Sequence, residues 1–126
     1  MKFRTMKAVA MAAAAVAAVV GSSSGAQAAA FDGSCNDHEV CNYRLTSYTG
    51  GIWDTPGDVS SYVGHYFSSG YTLNDRTSSL KNNADIYDVT HYTDANYSGG
   101  WLDTGTNSAR ASLYTTWDNT FSSHYF

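Results

Sequence analysis

Basic residues are scarce in this sequence: seven lysines and arginines stand against eleven aspartates and glutamates. Three of the seven, Lys2, Arg4 and Lys7, precede an apolar N-terminal run. Residues 31–126 therefore keep only Arg44, Arg76, Lys81 and Arg110, and carry a formal charge of −7. So few cations, scattered along the chain, argue against a nucleic-acid partner, because phosphate binding needs clustered Lys and Arg. An acidic surface favours a divalent cation instead. Proline is nearly missing (Pro56 alone), and no stretch sustains the period of a long helix. Catalytic signatures are missing too: there is no H-E-x-x-H, no G-x-S-x-G and no phosphate loop. His38, His65, His91 and His124 stand alone, and Asp85 with Asp88 reads as a pair of solvated turn charges. An enzyme is not expected.

The first thirty residues read as a secretory leader, removed on export. A short basic segment leads into an Ala/Val run at 8–20, then into small residues with cleavage signals at 26–28 and 28–30. The run is too short for a bilayer span and no basic stop-transfer flank follows it. What remains is about 96 residues, enough for one small domain at 31–126. Only two cysteines are present, Cys35 and Cys41, and in an exported chain a close lone pair reads as a disulfide. Its short loop would tie down the N-terminal arm more than the core.

Tyr, Thr, Val, Trp and Phe fill short runs between Gly, Ser and Asn turns, as in an all-β sandwich. Cys41, Tyr43 and Leu45 alternate with polar neighbours, and Tyr87, Val89 and His91 do the same. Helix is expected to be limited to a turn or two near 60–66. The strongest signal is internal repetition. Residues 43–55 align without gaps on 92–104, keeping two tyrosines, a Gly-Gly and an Asp-Thr in register. Each copy is followed by a hexamer, Asn74-Asp75-Arg76-Thr77-Ser78-Ser79 or Asp118-Asn119-Thr120-Phe121-Ser122-Ser123. Each hexamer has a hard oxygen donor at its second position and a hydroxyl at its fifth, the ligand type that calcium selects. The halves, about 38–82 and 83–126, read as two four-stranded Greek keys packed face to face.

The pattern resembles the βγ-crystallin family. Tyr43…Tyr48-x-Gly50 and Tyr92…Tyr97-x-Gly99 match its Greek-key signature, and the hexamers match its calcium-binding signature. With the leader, the early cysteine pair and a single domain, the chain is similar to the secreted bacterial metalloproteinase-inhibitor branch. The resemblance implies up to two calcium ions in crossed sites. One would use the Arg76 carbonyl, the Ser78 hydroxyl and the Asn119 side chain. The other would use the Thr120 carbonyl, the Ser122 hydroxyl and the Asp75 carboxylate. A carbonyl near Ile52 or Trp101 would complete each set. Asn119 replaces the preferred aspartate, so the Asp75 site is expected to be tighter, with modest affinity overall, on the order of 10⁻⁵ to 10⁻³ M.

The implied partner is a secreted metalloproteinase, entered by an exposed loop from 56–71 or 104–113, and a monomer is expected. The inhibitors of that branch carry a second disulfide, whereas this chain has no cysteine after Cys41. Two other readings stay open. One is a calcium-stabilised extracellular structural module. The other is a cell-wall or carbohydrate binder that stacks sugars on Trp53, Trp101 and tyrosines.

Overall fold

The computed structural model describes residues 30–126, so all but the last residue of the expected leader lies outside the described part. Among the described residues the chain is nearly all β. The strands are β1 (Val40–Leu45), β2 (Thr49–Thr55), β3 (Ser79–Asn82), β4 (Val89–Asp94), β5 (Ser98–Thr104), β6 (Ser108–Arg110) and β7 (Ser123–Tyr125). They form two antiparallel sheets, ordered β2-β1-β3-β6 and β5-β4-β7. No helix of the described residues is long and apolar enough to cross a membrane.

Each half of the chain contributes to the other half's sheet. β6 comes from the second half of the chain but pairs with β3 of the first. In return Val59, from the first half, bridges His124 at the edge of the other sheet. That bridge uses Val59 N–H to His124 O at 3.1 Å and His124 N–H to Val59 O at 3.0 Å, followed by Tyr62 N–H to Ser122 O at 2.8 Å. The backbone around 60–62 is thus committed to sheet pairing, and Gly64 follows in the left-handed region at φ 89°. This is why the helical turn expected at 60–66 is missing. Helical residues occur instead at Thr46–Tyr48, as a 3₁₀ turn, and at α1 (Tyr114–Trp117).

Both hairpins fold over in the same manner. Ser47 and Tyr48, like Asn96 and Tyr97, sit at positive φ, and Gly50 and Gly99 follow at 81° and 85°. These glycines cannot be replaced freely: a Cβ on Gly50 would stand 2.5 Å from Leu45 Cγ. Tyr43 packs edge-on against Tyr48 with ring centroids 5.5 Å apart, and Tyr92 against Tyr97 at 6.0 Å.

The alternation of Cys41, Tyr43 and Leu45 does mark a strand, but their face is the outer one. Asn42 pairs in register with Trp53 and Leu80, so it shares their inward side. The inter-sheet core is Trp53, Tyr62, Phe67, Leu73, Leu80, Leu113 and Phe121. Burying each large apolar side chain contributes about 1.5–3 kcal/mol. Through this core runs a buried polar chain. His91 Nε2 donates to Asn42 Oδ1 (3.1 Å), and Asn42 Nδ2 donates to the Tyr62 hydroxyl (3.2 Å). That hydroxyl donates to His124 Nδ1 (2.8 Å), whose Nε2 donates to the Gly57 carbonyl (2.7 Å). Buried polar groups need such partners, so the chain specifies one packing of the two sheets. On the outer face, the Cys35–Cys41 disulfide ties the N-terminal arm to β1.

Candidate functional site

The two hexamers meet across the pseudo-twofold axis. Asp75 and Asn119, the second residues, both occupy the left-handed region, at φ 58° and 57°. Asparagine and aspartate tolerate that conformation better than most side chains. Their amides then bond across the axis: Asp75 N–H to Phe121 O and Asn119 N–H to Thr77 O, each at 3.0 Å. With the backbones locked together, the side chains cross. Ser122 Oγ donates to Asp75 Oδ1 at 2.9 Å, and Ser78 Oγ donates to Asn119 Oδ1 at 3.4 Å.

The last serine of each hexamer has a different task. Ser79 Oγ donates to Leu45 O at 2.6 Å and accepts Tyr48 N–H at 3.0 Å. Ser123 Oγ donates to Asp94 O at 2.7 Å and accepts Tyr97 N–H at 3.2 Å. These serines close the folded hairpins and leave the fifth positions, Ser78 and Ser122, to face the crossing.

Every side chain at the crossing offers hard oxygen, a set that suits calcium. Two further oxygens were passed over in the sequence. Asn74 Oδ1 and Asp118 Oδ1, at the first position of each hexamer, are buried and have no hydrogen-bond partner. The sequence signal was the acid or amide that opens both hexamers. Ile52 is placed elsewhere: its carbonyl accepts Ser68 N–H at 2.8 Å. The strand residues that line the pocket beside Asn74, Asp75, Ser78 and Asn119 are Arg44 and Leu45, together with Arg76. Trp101, on β5, pairs with Tyr92 of β4 and is exposed.

The histidines have a structural part. Burial makes the imidazolium form of His124 costly and lowers its pKa to about 4, although the Gly57 carbonyl and Asp58 favour the proton. Burial, then the neighbouring His124 and Arg110, hold His91 well below the ordinary value. Trp53 is buried in the core, which removes it from the candidate sugar-stacking residues.

The sequence pattern of peptidase inhibitor family I36 matches residues 26–105, more than half of the chain. The chain belongs to peptidase inhibitor family I36. Solved structures show the same fold. A βγ-crystallin domain from Flavobacterium johnsoniae is 31% identical, with a TM-score of 0.53, over 68% of this chain and 90% of that one. A βγ-crystallin from an archaeon is 27% identical, with a TM-score of 0.56, over 71% of this chain and 98% of that one. A βγ-crystallin from Ciona intestinalis, 18% identical with a TM-score of 0.57, covers 69% of this chain and 96% of that one and shares the fold alone. Among curated proteins, none matches the chain in sequence. This family I36 member thus has the βγ-crystallin fold and is not an enzyme.

Proposed function

We propose that this family I36 protein is secreted, inhibits a metalloproteinase, and is stabilised by up to two calcium ions at the crossed hexamers. The inhibitory reading rests on the family match across residues 26–105. An inhibitor needs an exposed segment held in one shape before binding, since ordering a loop on contact costs affinity. The turn at 63–66 meets that need without a second disulfide. Val63 is 72% exposed and Tyr66 57% exposed. The turn is pinned at both ends, by His65 N–H to Tyr62 O at 3.1 Å and by Leu73 N–H to His65 O at 2.9 Å. The 104–113 segment is a poorer candidate, because β6 within it is paired into a sheet.

For calcium, the observation that carries most weight is the contact between Asp75 and Ser122, residues 47 apart in sequence. Arg76 and Thr120 carbonyls, Ser78 and Asn119 complete the proposed pair of sites, and Arg44 or Leu45 replaces Ile52 as the strand contributor. Assaying the purified protein against a thermolysin-like endopeptidase tests inhibition, with Val63→Asp as the loop variant. Inhibition at micromolar concentration that Val63→Asp abolishes supports the reading; no inhibition ends it. The rival carbohydrate reading keeps one exposed tryptophan, Trp101, and a polysaccharide pull-down that Trp101→Ala abolishes would favour it.

A further inference from the structure

On the outer face of the first sheet, away from the crossed hexamers, three carboxylates converge. Asp32 lies in the N-terminal arm, Glu39 just before β1, and Asp54 near the end of β2. One carboxylate oxygen of each lies within 4.8 Å of the other two. Asp54 is held by the arm, its Oδ1 accepting Gly33 N–H at 3.0 Å and its Oδ2 accepting Asp32 N–H at 3.1 Å. Asp32 Oδ1 accepts Ser34 N–H at 2.8 Å, and its Oδ2 accepts from the Asn36 amide at 3.0 Å. Glu39 is fully buried, and its Oε2 accepts Asn36 N–H at 2.8 Å. Its Oε1 is buried with no partner at all.

The simplest internal remedy for this arrangement, a basic partner, is missing. Among the described residues no lysine or arginine pairs with these carboxylates, and the salt bridge found, His38–Asp85, involves neither Asp32, Glu39 nor Asp54. A proton is the rival remedy, because burial and the nearby Asp54 and Asp32 carboxylates raise the Glu39 pKa, but a proton neutralises one carboxyl of the three and leaves the other two acids facing each other. A cation answers both needs, since it supplies charge and takes the orphan oxygen as a ligand.

We infer that Asp32, Glu39 and Asp54 form a third divalent-cation site, for calcium, that fastens the N-terminal arm to the sheet. Two oxygens bound to one calcium at 2.3–2.6 Å can lie up to about 5 Å apart, so small side-chain shifts bring all three onto one ion. The donors are all oxygen, and the nearby cysteines are locked in their disulfide, which excludes a thiolate metal. Exposed Asp32 leaves one side open to water, which completes calcium's six to eight ligands. Magnesium prefers to keep its waters over an all-carboxylate cage. The ion and the disulfide would act together on the arm, where Phe31 packs 5.6 Å from the Trp53 ring.

The inference does not rest on the crossed hexamers, and its test separates the two. Bound calcium is counted by equilibrium dialysis for the wild type, Glu39→Gln, Asp32→Asn and Asp75→Ala. Glu39→Gln is expected to remove one ion and Asp32→Asn to weaken the same ion at least about tenfold. Asp32 is exposed, so its variant does not threaten folding. Asp75→Ala is expected to leave this ion in place, whatever becomes of the hexamer sites. Calcium binding unchanged in both Glu39→Gln and Asp32→Asn would overturn the inference. So would a Glu39→Gln protein that gains stability while the wild type binds nothing here at millimolar calcium, the mark of a buried proton instead.

Discussion

The two halves of the molecule are alike in backbone and unlike in charge. Closure of the first hairpin by Ser79 is repeated by Ser123 in the second, donor for donor, with distances that differ by 0.2 Å or less. The side chains around these closures diverge. At the crossing, Asp75 of the first hexamer answers to neutral Asn119 of the second. Arg44 and Leu45, which line the pocket beside Asn119, have Thr93 and Asp94 as their repeat equivalents. In the core, Trp53 is matched by Leu102, Asn42 by His91 and Leu80 by His124. The fold therefore depends on a few tyrosines, glycines and serines kept in both copies. The proposed ion affinity, and acid sensitivity, fall on positions that differ between the copies.

The largest effect should come from the core. Trp53→Ala is expected to cost about 3–5 kcal/mol, and Leu102→Ala, its half-buried counterpart, about 2 kcal/mol. Urea denaturation in chelator measures both, and equal losses would erase the asymmetry. Calcium comes next. At about 100-fold above its dissociation constant an ion adds about 2.7 kcal/mol to stability. Asp75→Asn should remove more of that gain than Asn119→Ala does. Asn119→Asp should raise it by restoring a carboxylate to the weaker site. Melting temperatures with calcium and with chelator decide this.

The hairpin closures should lose alike. Ser79→Ala and Ser123→Ala each strand an amide and a carbonyl, at about 2 kcal/mol apiece, and a clear inequality would deny them equivalent tasks. Acid sensitivity is the smallest term per pH unit and belongs to the second half. His91 and His124 are buried neutral, with folded pKa values below the unfolded one. The unfolded chain therefore takes up protons first as pH falls. Their contribution is complete above about 6.5 and drains away toward the folded value, near 4 for His124. The slope is about 1.4 kcal/mol per pH unit for each histidine. His91→Asn, read by urea midpoints between pH 7 and 5, should flatten the slope by one histidine's share.

Much of this was legible in the sequence, because special backbone positions leave residue marks. Positive φ calls for glycine or asparagine, and a hairpin closure calls for serine, so the repeat at 43–55 and 92–104 and the two hexamers could be read directly. Features set by long-range pairing could not. Nothing local says that 59–62 pairs with residues sixty or more positions away, so that stretch looked helical. Nothing local says that Asn42 faces inward while Cys41 and Tyr43 face outward. Register with Trp53 and Leu80 decides it. Asp32, Glu39 and Asp54 are separated in sequence and come together only when the arm folds over β2.

The crossed oxygen clamps proposed between the two halves would hold a divalent cation against Asp75 and Ser122. Anomalous diffraction from crystals of the protein soaked with terbium, a calcium substitute, tests this most directly. A peak bonded to both the Asp75 carboxylate and the Ser122 hydroxyl, at about 2.3–2.6 Å, is expected. Saturating terbium with no density between those two side chains would contradict the proposed clamps.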